Sequence, residues 1–106
     1  MKITRIENTA VFQNVHSVEA KRIYDSENAE VIHMSLQPGQ SLKKHVTPVD
    51  VFFYILEGKG TVEIGDEKQA VQRDVLIESP KGIPHLLQNS GESVFRFLVV
   101  KVPKPK

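Results

Sequence analysis

An all-β domain is predicted by three observations. Turn-forming residues recur at short intervals: Ser26-Glu27-Asn28, Pro38-Gly39, Gly58-Lys59-Gly60, Gly65-Asp66, Lys81-Gly82 and Asn89-Ser90-Gly91. The runs between them are short and rich in Val, Ile, Phe and Tyr. No window carries apolar residues at helical spacing through three turns. Strands at such regular intervals pack as a sandwich or a jelly-roll barrel.

The punctuation sets the elements in order. Residues 2–15 are expected to hold one or two strands that pattern alone does not place. Strands at 19–24 and 30–36 flank the Ser26-Glu27-Asn28 turn, and one at 41–47 follows Pro38-Gly39. The apolar run 51–56 ends at Gly58. Strands at 60–64 and 68–71 join through Gly65-Asp66, where glycine supplies the positive φ of a tight hairpin. Thr61 and Glu63 alternate with Val62 and Ile64, so one face of that hairpin is expected to be wet. Strands at 74–77, 83–88 and 94–102 complete the set. After Val102 the alternating prolines of Pro-Lys-Pro-Lys remove ladder donors, so 103–106 reads as a solvated tail.

Composition narrows the function classes. The chain has 106 residues, 40% apolar and 25% charged, the balance of one ordinary folded domain. Its formal charge of +1 is scattered, with positive charge gathering only from Lys101 to Lys106, so no basic face argues for nucleic acid. Without cysteine there are no disulfides, thiolate nucleophiles or Cys-type zinc sites. The N-terminus lacks the apolar core of a signal peptide, and the longest apolar run, Val51 to Leu56, is too short for a membrane span. A cytoplasmic protein is the expectation. No serine or paired-carboxylate arrangement suggests nucleophilic catalysis.

Two segments resemble the paired signature motifs of the cupin family of small metal-binding β-barrels. The first is PGQSLKKHVTPVDVFFYILEGKG, Pro38 to Gly60. The family pattern there runs Gly, five residues, His-x-His, three or four residues, Glu, six residues, Gly. Gly39, His45 and Gly58 match, whereas Thr47 stands at the second histidine and Val51 at the glutamate. The second segment, PKGIPHLLQN, carries Pro80, Gly82, His85 and Asn89 at every position of Pro-x-Gly-x-x-His-x-x-x-Asn. The resemblance spans 30–102. It implies a cupin-type jelly-roll β-barrel (double-stranded β-helix) as a single domain over 1–102, with 1–18 as N-terminal strands at a dimer interface.

It also implies a site. Residues two apart on a strand point to one side, so the motif positions aim His45, Thr47, Val51 and His85 into one interior. His45 and His85 are the candidate metal ligands and the candidate acid/base groups. Thr47 can add a hydroxyl, and Val51 no donor. Asp50 is an alternative ligand if the loop after Thr47 is tight; counting back from Gly58 instead gives the slot to Val51, and alternation turns Asp50 outward as a turn residue. Phe53 and Leu87 share the faces of Val51 and His85 and complete the expected lining, an apolar pocket with two polar points. Asn89 is expected to bond backbone before Gly91. His16 and His33 match no motif; His33, opposite in parity to Ile32 and Met34, is expected on the outer face or at a subunit contact.

A firm non-haem metal site uses three protein ligands, so a divalent Zn, Mn, Fe or Ni ion is expected to bind weakly. The function expected from these residues is small-molecule binding in an internal cavity, as a homodimeric module free of nucleic acid and membrane partners. The alternative is a metal-dependent enzyme of the dioxygenase, isomerase or decarboxylase kind, acting on a carbohydrate-like or organic-acid substrate. A scaffold role is the third reading, and no helix pair is present to bind DNA.

Overall fold

A computed structural model describes residues 1–106 as an almost purely β structure. Its strands are β1 (Glu19–Asp25), β2 (Glu30–Leu36), β3 (Val51–Glu57), β4 (Lys59–Ile64), β5 (Glu67–Gln72), β6 (Leu76–Ser79), β7 (His85–Gln88) and β8 (Phe95–Lys101). They form a five-stranded sheet, β1-β2-β8-β3-β6, and a three-stranded sheet, β5-β4-β7. All strand pairs are antiparallel. The last strand thus lies between β2 and β3, the crossing that a jelly roll requires. The expected closed barrel is instead two separate sheets sharing one core, because no ladder joins their edges. No helix is long and apolar enough to cross a membrane.

Alternation explains the core. Inward residues Phe53 and Ile55 of β3 meet Phe95 and Phe97 of β8, all at most 1% exposed. Leu87 of β7 and Val62 of β4 close on them from the smaller sheet. Full burial of each such side chain contributes about 1.5–3 kcal/mol. Phe53 and Phe97 meet edge to face, with ring centroids 6.3 Å apart. At Gly60 a Cβ would stand 2.5 Å from both the Gln88 carbonyl oxygen and the Phe95 ring, so only glycine lets β4 lie this close to the core. Asn89 is buried and bonds backbone on three sides: its amide donates to Leu36 O and Ser93 O, and its oxygen accepts from Gly91 N.

Several expected boundaries shift for local reasons. The strand expected at 41–47 is only two isolated bridges, Ser41 with Gln88 and His45 with His85. One residue more lies between the bridges on the first segment than on the second, so the chain bulges there. The strand expected at 74–77 begins at Leu76, because Asp74 adopts φ 68° in the preceding turn. Pro84 has no N–H, and β7 starts just after it at His85. The N-terminal strands expected within 2–15 are absent: a 3-10 turn at Ile6–Asn8 and one bridge from Val11 to Lys21 stand in their place. The tail is not wholly free, since Lys104 bonds the Asp25 carboxylate at the end of β1.

His33 does lie on the outer face, but it is 2% exposed. Arg96 Nε donates to its Nε2 at 3.1 Å, leaving Nδ1 buried with no partner. The residues around this ring include Ile3, Arg5 and Glu7 of the N-terminal segment, which covers that face.

Candidate functional site

Toward Val99 and Lys101 the inner face of the larger sheet is covered by the loop at residues 12–16 and by Leu42, His45 and Thr47. His85 is the one contribution of the smaller sheet there, and a gap remains. The gap is a cavity of about 170 Å³. Its apolar wall comes from Phe12, Ile32, Met34, Leu42, Phe53 and Val99. Thr47 and Val51 also line it; Leu87 does not, being packed at 0% exposure in the solid core.

The bridge between His45 and His85 brings the two histidines to this cavity. Their backbones exchange hydrogen bonds of 3.0 and 2.9 Å, which sets them directly opposite each other. Their rings lie 5.9 Å apart between centroids. His45 is exposed at the rim, and His85 is 6% exposed below it, against the edge of Phe53 at 5.2 Å. Both His85 nitrogens face hydroxyls: Ser79 Oγ is 2.8 Å from Nδ1 and Thr47 Oγ1 is 3.4 Å from Nε2. Hydroxyls donate or accept, so either tautomer satisfies the ring. Burial first, then the charges of His45, Lys101 and His16, lowers the His85 pKa from 6.5 to about 4. His85 is therefore neutral near pH 7.

Asp50 is turned away. Its Oδ1 accepts from Lys81 N at 2.9 Å, tying two loops together, and it does not line the cavity. Alternation along β3 dictates this, since Val51 is the inward residue.

His16, which matches no motif, is a third imidazole at the rim, 5.9 Å from His45 by ring centroids. Asn14 holds the loop that carries it, donating to Val18 O at 2.7 Å and accepting from His16 N at 3.0 Å. His16 Nδ1 accepts from Lys43 N at 2.8 Å, within the bulged segment. That amide points away from β7, which takes Leu42 N and His45 N instead, so the bond ties the bulged segment to the loop. Burial, followed by the charges of His45, Lys43 and Lys101, lowers the His16 pKa. No sequence signal marks this loop, because its placement depends on tertiary contacts.

A charged cluster also lines the cavity. Glu30, 7% exposed, takes Arg22 Nε at 3.0 Å on one oxygen and has Lys101 Nζ 3.5 Å from the other. Arg22 also lies over the Phe12 ring, 4.4 Å from its centroid. Here a signal was available: Glu30 shares inward parity with Ile32 and Met34, and Lys101 with Phe97 and Val99. Lys101 belongs to the sheet and not to the charged tail.

The donors present do not suit a firmly bound metal. No three His, Asp or Glu side chains converge in the geometry a metal ion needs. His85 is committed to hydroxyls, Val51 offers nothing, and Asp50 is used elsewhere. Lys101, paired across the ladder with Val51, adds a cation beside the motif position that would carry the carboxylate.

Comparisons with known proteins agree with the fold. A crystal structure of a Thermus thermophilus protein is 30% identical, with a TM-score of 0.85, covering 99% of this chain and 100% of that one. A predicted oxalate decarboxylase from Thermotoga maritima superposes with a TM-score of 0.87 at 21% identity, over 97% of this chain and 100% of that one. The polyketide cyclase RemF from Streptomyces resistomycificus gives 0.86 at 19% identity, over 98% of this chain and 80% of that one. At such low identity the last two speak to fold alone. Residues 32–101 match the family model of the cupin domain, and with the crossing β8 and the paired His45 and His85 already in place, the chain belongs to the cupin family.

Proposed function

We propose that this cupin binds a small, partly apolar molecule in the cavity between its sheets and holds divalent metal weakly at best. The carrying observation is the state of the four motif positions. His85 is engaged by Ser79 and Thr47, His45 is exposed at the rim beside His16, and Val51 has no donor. The cavity volume of about 170 Å³ is close to the ~150 Å³ at which an apolar protein cavity accepts benzene. A wider depression of about 750 Å³ beside Glu57, Arg73 and Glu92 has no apolar wall to hold such a molecule.

Elemental analysis of dialysed protein tests the metal half of the reading. Well under one equivalent of metal is expected, rising sharply in Thr47→His/Val51→Glu. Stoichiometric metal in the unaltered chain, lost in His45→Ala, would overturn it. That result would bring forward a metal-dependent enzyme acting on a small organic acid or carbohydrate-like molecule; the Thermotoga and Streptomyces proteins are themselves named as a predicted oxalate decarboxylase and a polyketide cyclase.

We propose also that the chain is a homodimer. Edge strand β1 and exposed apolar residues beside it, Val11 and Tyr24, support pairing with a second copy. Light scattering at micromolar concentration is expected to give twice the 12.0 kDa chain mass, and a monomer would refute the pairing.

A further inference from the structure

We propose that Lys101 is the anion-binding group of the cavity, and that the ligand is a small carboxylate whose apolar body is about the size of one aromatic ring. This names the ligand class of the small-molecule reading above and rests on it.

The position of Lys101 comes first. It ends the inward row of β8 after Phe95, Phe97 and Val99, and is paired with Glu30 on one side and Val51 on the other. Its side chain is 20% exposed, so most of its stem lies against the protein. An ammonium has three donors to satisfy. Glu30 is the one carboxylate near it, at 3.5 Å, and Arg22 holds that carboxylate more closely at 3.0 Å. Lys101 keeps donors with no protein acceptor.

The charge balance points the same way. Arg22 and Lys101 stand against Glu30 alone, so the lysine, arginine and glutamate of the lining carry one net positive charge. Asp50 lies outside, held by Lys81 N. His16 adds a donor at the rim: its Nδ1 accepts from Lys43 N, so the neutral ring carries its proton on Nε2. A cation would meet repulsion here, and a neutral molecule would leave the spare ammonium donors without an anion. A carboxylate answers both terms, while its apolar body fits the wall of Phe12, Met34 and Phe53.

The test compares benzoate with benzamide, of nearly equal shape, titrated into the full chain by calorimetry and by amide NMR shifts. Benzoate is expected to bind at least about tenfold tighter, the scale of one hydrogen bond to a charged group. Lys101→Met is expected to erase that preference while leaving benzamide affinity within about threefold, since the aliphatic stem is kept. Lys101→Arg is expected to retain it, which keeps the test decisive if the Met variant folds poorly. Equal affinities in the unaltered protein, or a benzoate preference that survives Lys101→Met, would overturn the assignment and leave the cavity reading standing. If neither probe shifts the cavity residues, the cavity reading fails and the assignment with it.

Discussion

The two ends of β8 make different interiors from one strand. At Phe95 and Phe97 the inward side chains are 0% exposed and meet Ile55 and Leu87 with no gap. Two residues on, Val99 is smaller and faces the cavity; two further, Lys101 replaces an aromatic ring with a charge. The register with β2 is unbroken along this row, and the pairing with β3 shifts only at a bulge between Ile55 and Glu57. Side-chain volume and polarity do much to turn a packed core into an open cavity, because close-packed interiors leave space only where large rings are withheld.

That contrast can be broken most severely at the packed end. Phe97→Ala is expected to cost about 3–5 kcal/mol in urea unfolding, whereas Val99→Ala, beside existing space, should cost far less. Equal losses would mean that the two ends are equally packed.

Acid should act mainly through the cavity end. His85 binds a proton at about pH 4 when folded and near 6.5 when unfolded. Between those values the unfolded chain carries more protons, so stability is full above pH 6.5 and falls on acidification, by up to about 3 kcal/mol. His16 and His33 shift in the same direction, each first through burial, and add to the loss. Unfolding midpoints at pH 7 and pH 4.5 read the effect, and His85→Gln is expected to flatten most of it. An unchanged slope in that variant would place the acid sensitivity outside the cavity.

Gly60→Ala probes how tightly the smaller sheet sits on the packed end. A Cβ 2.5 Å from Gln88 O and the Phe95 ring should cost about 1–3 kcal/mol as β4 is pushed away. The smallest effect is expected from Lys101→Met without ligand, about 1 kcal/mol or less, because Glu30 keeps Arg22. A loss as large as that of Phe97→Ala would make Lys101 a structural residue.

Much of this was legible in the sequence wherever a residue's role follows from its own strand. Turn chemistry located Gly58 and Gly65, alternation put Val51 and Phe53 inward, and the second motif marked His85 and Asn89. The same alternation pointed Glu30 and Lys101 into the cavity, but Lys101 reads as the start of a charged tail when net charge is weighed before parity. His16 was not legible at all. Its place depends on Asn14 and on an amide of a distant segment, and no periodicity records such contacts. The N-terminal segment misled for a related reason: apolar residues at Ile3 and Ile6 look like strand, yet that segment lies over the outer face around His33 without joining the ladder.

The bond from Lys43 N to His16 separates the shape of the cavity rim from the strand ladder. Because a side chain of the loop takes the amide, part of the cavity rim is borrowed from a segment that contributes almost no ladder pairing. Residues 13–17, between Phe12 on the core and the buried Val18, are then the part of this loop open to exchange. A designer who wants this fold to discriminate among ligands has a short cassette to vary, and the sheets need not be touched.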